Sequence, residues 1–257
     1  LRARGRGRGA RRRWAGVKAR RVKKLDPSGP LADNAARIIR ARLDEMRSLA
    51  PRALEPTATR RQHDMRIAAK RLRYVLETTE FCFGRVAETA RRRARDLQEV
   101  LGELHDCDVM LPRVEGHLDG LRESDATAVR MWAGDAHDLG PELASHAPHR
   151  TSYRGLEILI VYLRARRRLL FDRFAALWRE LEGAGVWDRL ERAMERRLEL
   201  ARERRRAAKR AERARDRLAE AERQEREAAT RAATAATDLQ TARRQARGET
   251  SPHRNGG

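Results

Sequence analysis

Cysteine and aromatic residues are scarce in this chain of 257 residues, which holds two cysteines, Cys82 and Cys107, and only 4% aromatic residues. Two thiols cannot build a disulfide framework or a four-thiolate metal site. Cys82 stands between Phe81 and Phe83, the setting of a structural thiol, and Cys107 between Asp106 and Asp108 lacks the cationic surroundings of a reactive one. Long apolar runs are missing as well. None approaches the roughly 18 residues that a membrane span requires. No apolar stretch follows the N-terminal charges, so a secretory signal is not expected and the cytoplasm is the expected compartment. No serine sits in a G-x-S-x-G elbow and no G-x-x-x-x-G-K-[ST] loop occurs, which removes serine hydrolases of that kind and P-loop nucleotide hydrolysis. The RGRGRG run near the start follows no strand and is not a dinucleotide fingerprint.

Cationic charge is what the chain has in excess, with 59 Lys and Arg against 38 Asp and Glu and a formal net charge of +21. Its distribution is uneven: net +11 in residues 1–30, +3 in 31–182 and +7 in 183–257. Residues 1–30, with almost nothing to bury, read as a disordered Arg/Gly-rich basic arm. The turn chemistry of Asp26-Pro27-Ser28-Gly29-Pro30 closes it. A near-neutral body that binds anions must do so by local placement of its charges.

The body, residues 31–182, has the period of packed helices and no alternation at period two, so the expected class is all-α. Leu31, Ala35, Ile38, Ile39, Leu43, Met46 and Leu49 recur at steps of three and four until Pro51, which is expected to end that helix. Thr57 or Thr59 is expected to cap a second helix running to about Gly84. A third is expected from near Thr89 to about Val109, with Pro112 beyond it. Residues 115–150 are polar and ambiguous, with one shorter helix around 121–133, and a strong helix follows from about Thr151 to Glu182. Residues 183–246 read as a charged Arg/Glu/Ala-rich helix, with opposite charges at helical spacing. Residues 247–257 read as a disordered tail.

The segment from Arg60 to Leu76 carries the functional signal. At roughly 100° per residue, His63, Arg66, Lys70 and Arg73 fall on one narrow stripe. Met65, Ala68, Leu72, Val75, Leu76 and Thr79 fall opposite. Arg60 and Arg71 lie toward one margin, and Asp64 on an edge. The cations repel one another by a few tenths of a kcal/mol per adjacent pair. The row is about 15 Å long at 1.5 Å per residue, which suits a polyanion with regularly repeated charge. Arg supplies a planar fork for phosphate oxygens, Lys a point charge, and His63 binds best when protonated. Tyr74 alone offers a ring for stacking, so the pattern favours backbone phosphate over bases. Spacing alone also fits a merely solvated basic face.

The run from His63 to Tyr74, HDMRIAAKRLRY, resembles the signature helix of the CHAD domain, the conserved histidine α-helical domain. The later run from Leu97 to Val109, LQEVLGELHDCDV, resembles that family's second landmark. The resemblance implies helical bundles around a basic groove or cavity that binds inorganic polyphosphate, and a binding module rather than an enzyme, with no cofactor or metal. It assigns His63, Arg66, Lys70 and Arg73 to the polyphosphate site, with Arg60, Arg71 and His105 beside them. Asp106 and Asp108 are expected to cap or pair with arginines. Association with polyphosphate granules would follow from such binding. A second copy of the signature is not evident. Residues His149 to Arg154, with Arg164, Arg166, Arg167, Arg168 and Arg173, could form a second basic lining, or two chains could combine as a homo-oligomer.

Two rival readings stay open. His63, His105-Asp106 and one of Asp135, Asp138 or Asp172 formally match the ligand order of an HD-type metal-dependent phosphohydrolase, although three cations beside His63 would repel a divalent ion. Alternatively, non-specific nucleic acid could be held by residues 1–30 and the tail. A purely structural reading makes residues 186–246 an oligomerisation rod.

Overall fold

The structure, a computed structural model, describes residues 18–248. Residues 249–257 of the expected disordered tail and most of the expected arm lie outside the described residues, while residues 247 and 248 of that tail are helical. Five α-helices account for most of the described chain: α1 (Leu31–Ala53), α2 (Thr59–Thr79), α3 (Arg85–Trp132), α4 (Tyr153–Gly183) and α5 (Val186–Gly248). No strand occurs among the described residues, and the chain is all-α.

Residues 18–30 are not helical, yet they are tied to α1. The Asn34 amide donates to the Asp26 carbonyl at 2.6 Å and accepts from the Asp26 backbone N–H at 3.0 Å. Arg42 donates to the Arg20 carbonyl at 2.5 Å. The α1 helix runs past Pro51 to Ala53, since both Ala50 and Ala53 are buried and the Leu54 N–H bonds the Ala50 carbonyl at 3.0 Å. The α2 helix starts at Thr59 with Ala58 before it and no side-chain cap, so neither expected threonine caps it. It also ends earlier than the expected Gly84. Gly84, with φ of 60°, makes the turn into α3, a backbone region that side chains resist.

The largest departure from expectation is α3. One helix of 48 residues replaces two, and Pro112 lies inside it. Proline removes a helical hydrogen bond and crowds the preceding turn. Packing outweighs that cost here. The stripe of Leu97, Leu101, Leu104 and Cys107 continues beyond Pro112 as Val114 and Leu118, all buried. Ion pairs to α4 bracket the proline: Glu103 with Arg166 at 2.6 Å, Asp108 with Arg167 at 2.5 Å, and Glu115 with Arg164 at 2.7 Å.

The core joins Ile39, Leu43 and Met46 of α1 to Met65, Leu72 and Leu76 of α2, Leu97, Leu101 and Leu104 of α3, and Leu170 and Phe174 of α4. The expected apolar face of α2 is the buried one. Trp187, Leu190 and Met194 of α5 belong to the same core, so the compact unit runs past residue 182 and ends at Leu198. Arg47 holds this start of α5 to α1 by contacting Asp188 at 3.0 Å and Glu191 at 3.1 Å. Residues 199–248 form a second unit, a continuous helix whose side chains from Arg202 to Ala246 are exposed.

Candidate functional site

Burial of Met65, Ala68, Leu72 and Leu76 turns the opposite side of α2 outward and toward α3. His63, Arg66 and Arg73 each meet a different residue of α3. The His63 and His105 rings lie 4.3 Å apart, tilted by 39°. Arg66 lies over Gly102, where a Cβ would come 3.6 Å from its Nε. Arg73 Nε donates to Gln98 Oε1 at 3.0 Å. Gln98, Gly102 and His105 are spaced by four and three residues, so one face of α3 meets the stripe along a seam of contact, the α2–α3 furrow. Sequence reasoning named His105 but missed Gln98 and Gly102, whose signal was their helical spacing from it.

The cations along the furrow differ in how they are held. Arg66 is half-buried, its Nε is covered, and that atom has no hydrogen-bond acceptor among the described residues. Leaving a covered donor of a charged group unsatisfied costs on the order of 1–3 kcal/mol, a cost that an anionic ligand would remove. Lys70 is exposed, with Nζ 5.5 Å from the Tyr74 ring centroid. Arg73 stacks on the same ring at 4.6 Å and lies 3.8 Å from Glu77. Arg60 is exposed in the first turn of α2.

Arg71 belongs elsewhere. Its guanidinium donates to Glu45 Oε1 at 2.6 Å, and the buried Glu45 also pairs with Arg42. Arg71 therefore holds α2 to α1 instead of lining the furrow. Asp64, expected at the stripe's edge, is buried, with Arg61 at 3.6 Å. Asp108 pairs with Arg167, which also donates to Gln62 Oε1 at 3.0 Å and to the Pro56 carbonyl at 3.0 Å. Arg164, Arg166 and Arg167 are thus spent on α3. His149 and Tyr153 bond the buried Asp125 at 2.7 and 2.5 Å, which commits these two side chains to α3.

Burial pushes the His63 imidazole below its ordinary value, and His105 and Arg66 push the same way against Asp64. Burial and then Arg66 lower His105, opposed by Asp106 and Asp108. The unfolded chain takes up these protons near pH 6.5, while the folded chain does so only at lower pH. Folding stability is accordingly lost as pH falls from about 6.5 through the folded values. An anion in the furrow favours the imidazolium forms and opposes the trend. Thermal melts from pH 7.5 to 5 are expected to show declining stability without polyanion and a smaller decline with it. Equal slopes in the two series would separate the histidine pair from the site.

His63 and His105 meet as a metal site would require, but among the described residues no third His, Cys, Asp or Glu joins them in a metal-binding group. No helix among the described residues is long and apolar enough to cross a membrane.

Fold and furrow together define an all-α bundle with one histidine-led cationic stripe. Residues 2–115 match the family model of the CHAD domain. The match includes all of α1 and α2 and both walls of the furrow, and it ends inside α3. No curated protein and no solved structure matches the chain.

Proposed function

We propose that this protein binds inorganic polyphosphate along the furrow between α2 and α3, as a holding module and without chemistry on the polymer. The observation that carries the reading is Arg66, whose covered Nε has no acceptor among the described residues, within a row that also holds His63, Lys70 and Arg73. An extended chain of phosphates offers acceptors at regular intervals to that row, and the forked guanidinium groups match them. The CHAD match over these residues supports the same ligand. A protein that retains the polymer without turning it over would travel with it, so association with polyphosphate granules is the expected cellular consequence.

Counterion release makes the binding steeply salt-dependent, with each neutralised phosphate contributing about −0.7 to the slope of log affinity against log salt by analogy with single-stranded nucleic acid. Affinity should also grow with polymer length until the stripe is filled. Titration with chains of increasing length at fixed phosphate concentration is the test. An affinity independent of length would contradict a row of sites. The N-terminal charge, net +11 over residues 1–30, favours a second, weaker adhesion to any polyanion, nucleic acid included.

A further inference from the structure

The outward face of α4 carries an apolar stripe that is exposed among the described residues. Ile158, Val161, Tyr162 and Leu169 are 59%, 66%, 57% and 60% exposed, and the exposed Ala165 lies among them. At roughly 100° per residue these five cluster about 180° from Ile160, Leu163, Leu170 and Phe174, which face the core. The stripe spans about 16 Å at 1.5 Å per residue. Contiguous apolar surface of this kind marks an interaction site, whereas apolar residues scattered singly do not.

The charges around the stripe say what covers it. Arg154, Arg168 and Asp172 are exposed and form no ion pair among the described residues, while Glu157 is held by Arg122 at 2.5 Å. Two copies of α4 packed antiparallel, with the two-fold axis at the level of residue 163, set Ala165 against Val161 of the other copy and Leu169 within one residue of Ile158. Tyr162 then lies beside the axis. The same register sets Asp172 against Arg154, and Arg168 against Glu157. Apolar groups meet apolar groups and each charge meets its opposite. A parallel pair would bring Arg154, Arg168 and Asp172 level with their own copies and lose both of these pairings.

We propose that this face of α4 is the interface of a symmetric homodimer, formed by antiparallel packing of α4 against α4 of a second copy. The interface is isologous, so each contact occurs twice. It lies on a different helix from the α2–α3 furrow, and its test needs no polyphosphate.

Sedimentation or light scattering of the full chain over the micromolar range is expected to give twice the chain mass of 29.5 kDa. The variant carrying Val161→Glu and Leu169→Glu is expected to fall to the single-chain mass with helicity unchanged by circular dichroism, since both residues are exposed. Asp172→Arg alone should weaken the dimer at least about tenfold, and adding Arg154→Asp should restore it, because only the antiparallel register pairs these positions. A wild-type chain that stays monomeric overturns the proposal. So does a dimer that survives the double glutamate variant, which would place association elsewhere. Failure of the charge swap to rescue overturns the antiparallel register.

Discussion

Replacing Arg66, Lys70 and Arg73 together by glutamine is expected to lower polyphosphate affinity by about a thousandfold. Hydrogen bonds to charged groups contribute about 1.5 kcal/mol or more each, and every 1.4 kcal/mol is a factor of ten. Arg66 should carry the largest share, because its covered Nε has no acceptor among the described residues. Arg73 should carry the smallest, because Gln98 and Glu77 already engage it. The slope of log affinity against log salt should become shallower by about two, as contacts at about 0.7 each are removed. Helicity should be unchanged, since none of the three faces the core and glutamine is a good helix former. Calorimetric titration of wild type and variant at two salt concentrations, with circular dichroism alongside, reads all three quantities. Wild-type affinity in the triple variant would remove the furrow as the site.

Replacing Glu45 by glutamine is expected to cost about 3 kcal/mol of stability and to leave polyphosphate affinity within about twofold. Glu45 is buried and pairs with both Arg42 and Arg71. Removing one member of a buried ion pair leaves uncompensated charge and typically costs about 3–5 kcal/mol. The lower end applies because Arg71 is only half-buried. For a unit of this size the melting temperature should fall by roughly 6–12 °C. Arg71→Gln should likewise leave binding nearly unchanged, which separates it from its neighbours Lys70 and Arg73. A large loss of affinity in Arg71→Gln, with the fold intact, would return Arg71 to the binding stripe.

Much of this was legible in the residues. The alternation of Met65, Leu72 and Leu76 with His63, Arg66, Lys70 and Arg73 is a property of helical period alone, and the structure buries the first set. The furrow's second wall was less legible. Gln98 and Gly102 have nothing unusual in sequence, and their part depends on how α3 is rotated against α2. The length of α3 was hidden by Pro112, because local propensity stops a helix there while the packing of Val114 and Leu118 and three ion pairs to α4 carry it on. Arg71 was placed beside the stripe because a helical projection does not show that α1 brings a buried carboxylate to meet it. Trp187, Leu190 and Met194 sit among the charges that open α5, and the surrounding Arg and Glu masked their membership of the core.

The most direct test of the polyphosphate site is a titration with long-chain polyphosphate at near-physiological salt, with single-stranded DNA of matched total charge as competitor. The chain should be trimmed to residues 18–198, which keeps the whole compact unit among the described residues and removes most of the basic arm and the exposed part of α5. Tight binding that the DNA does not displace is the predicted result, and it would place the function in the furrow of His63, Arg66, Lys70 and Arg73. No binding by the trimmed chain would contradict it and leave the arm and tail as the adhesive parts, and equal displacement by DNA would contradict it by making the compact unit a surface for any polyanion.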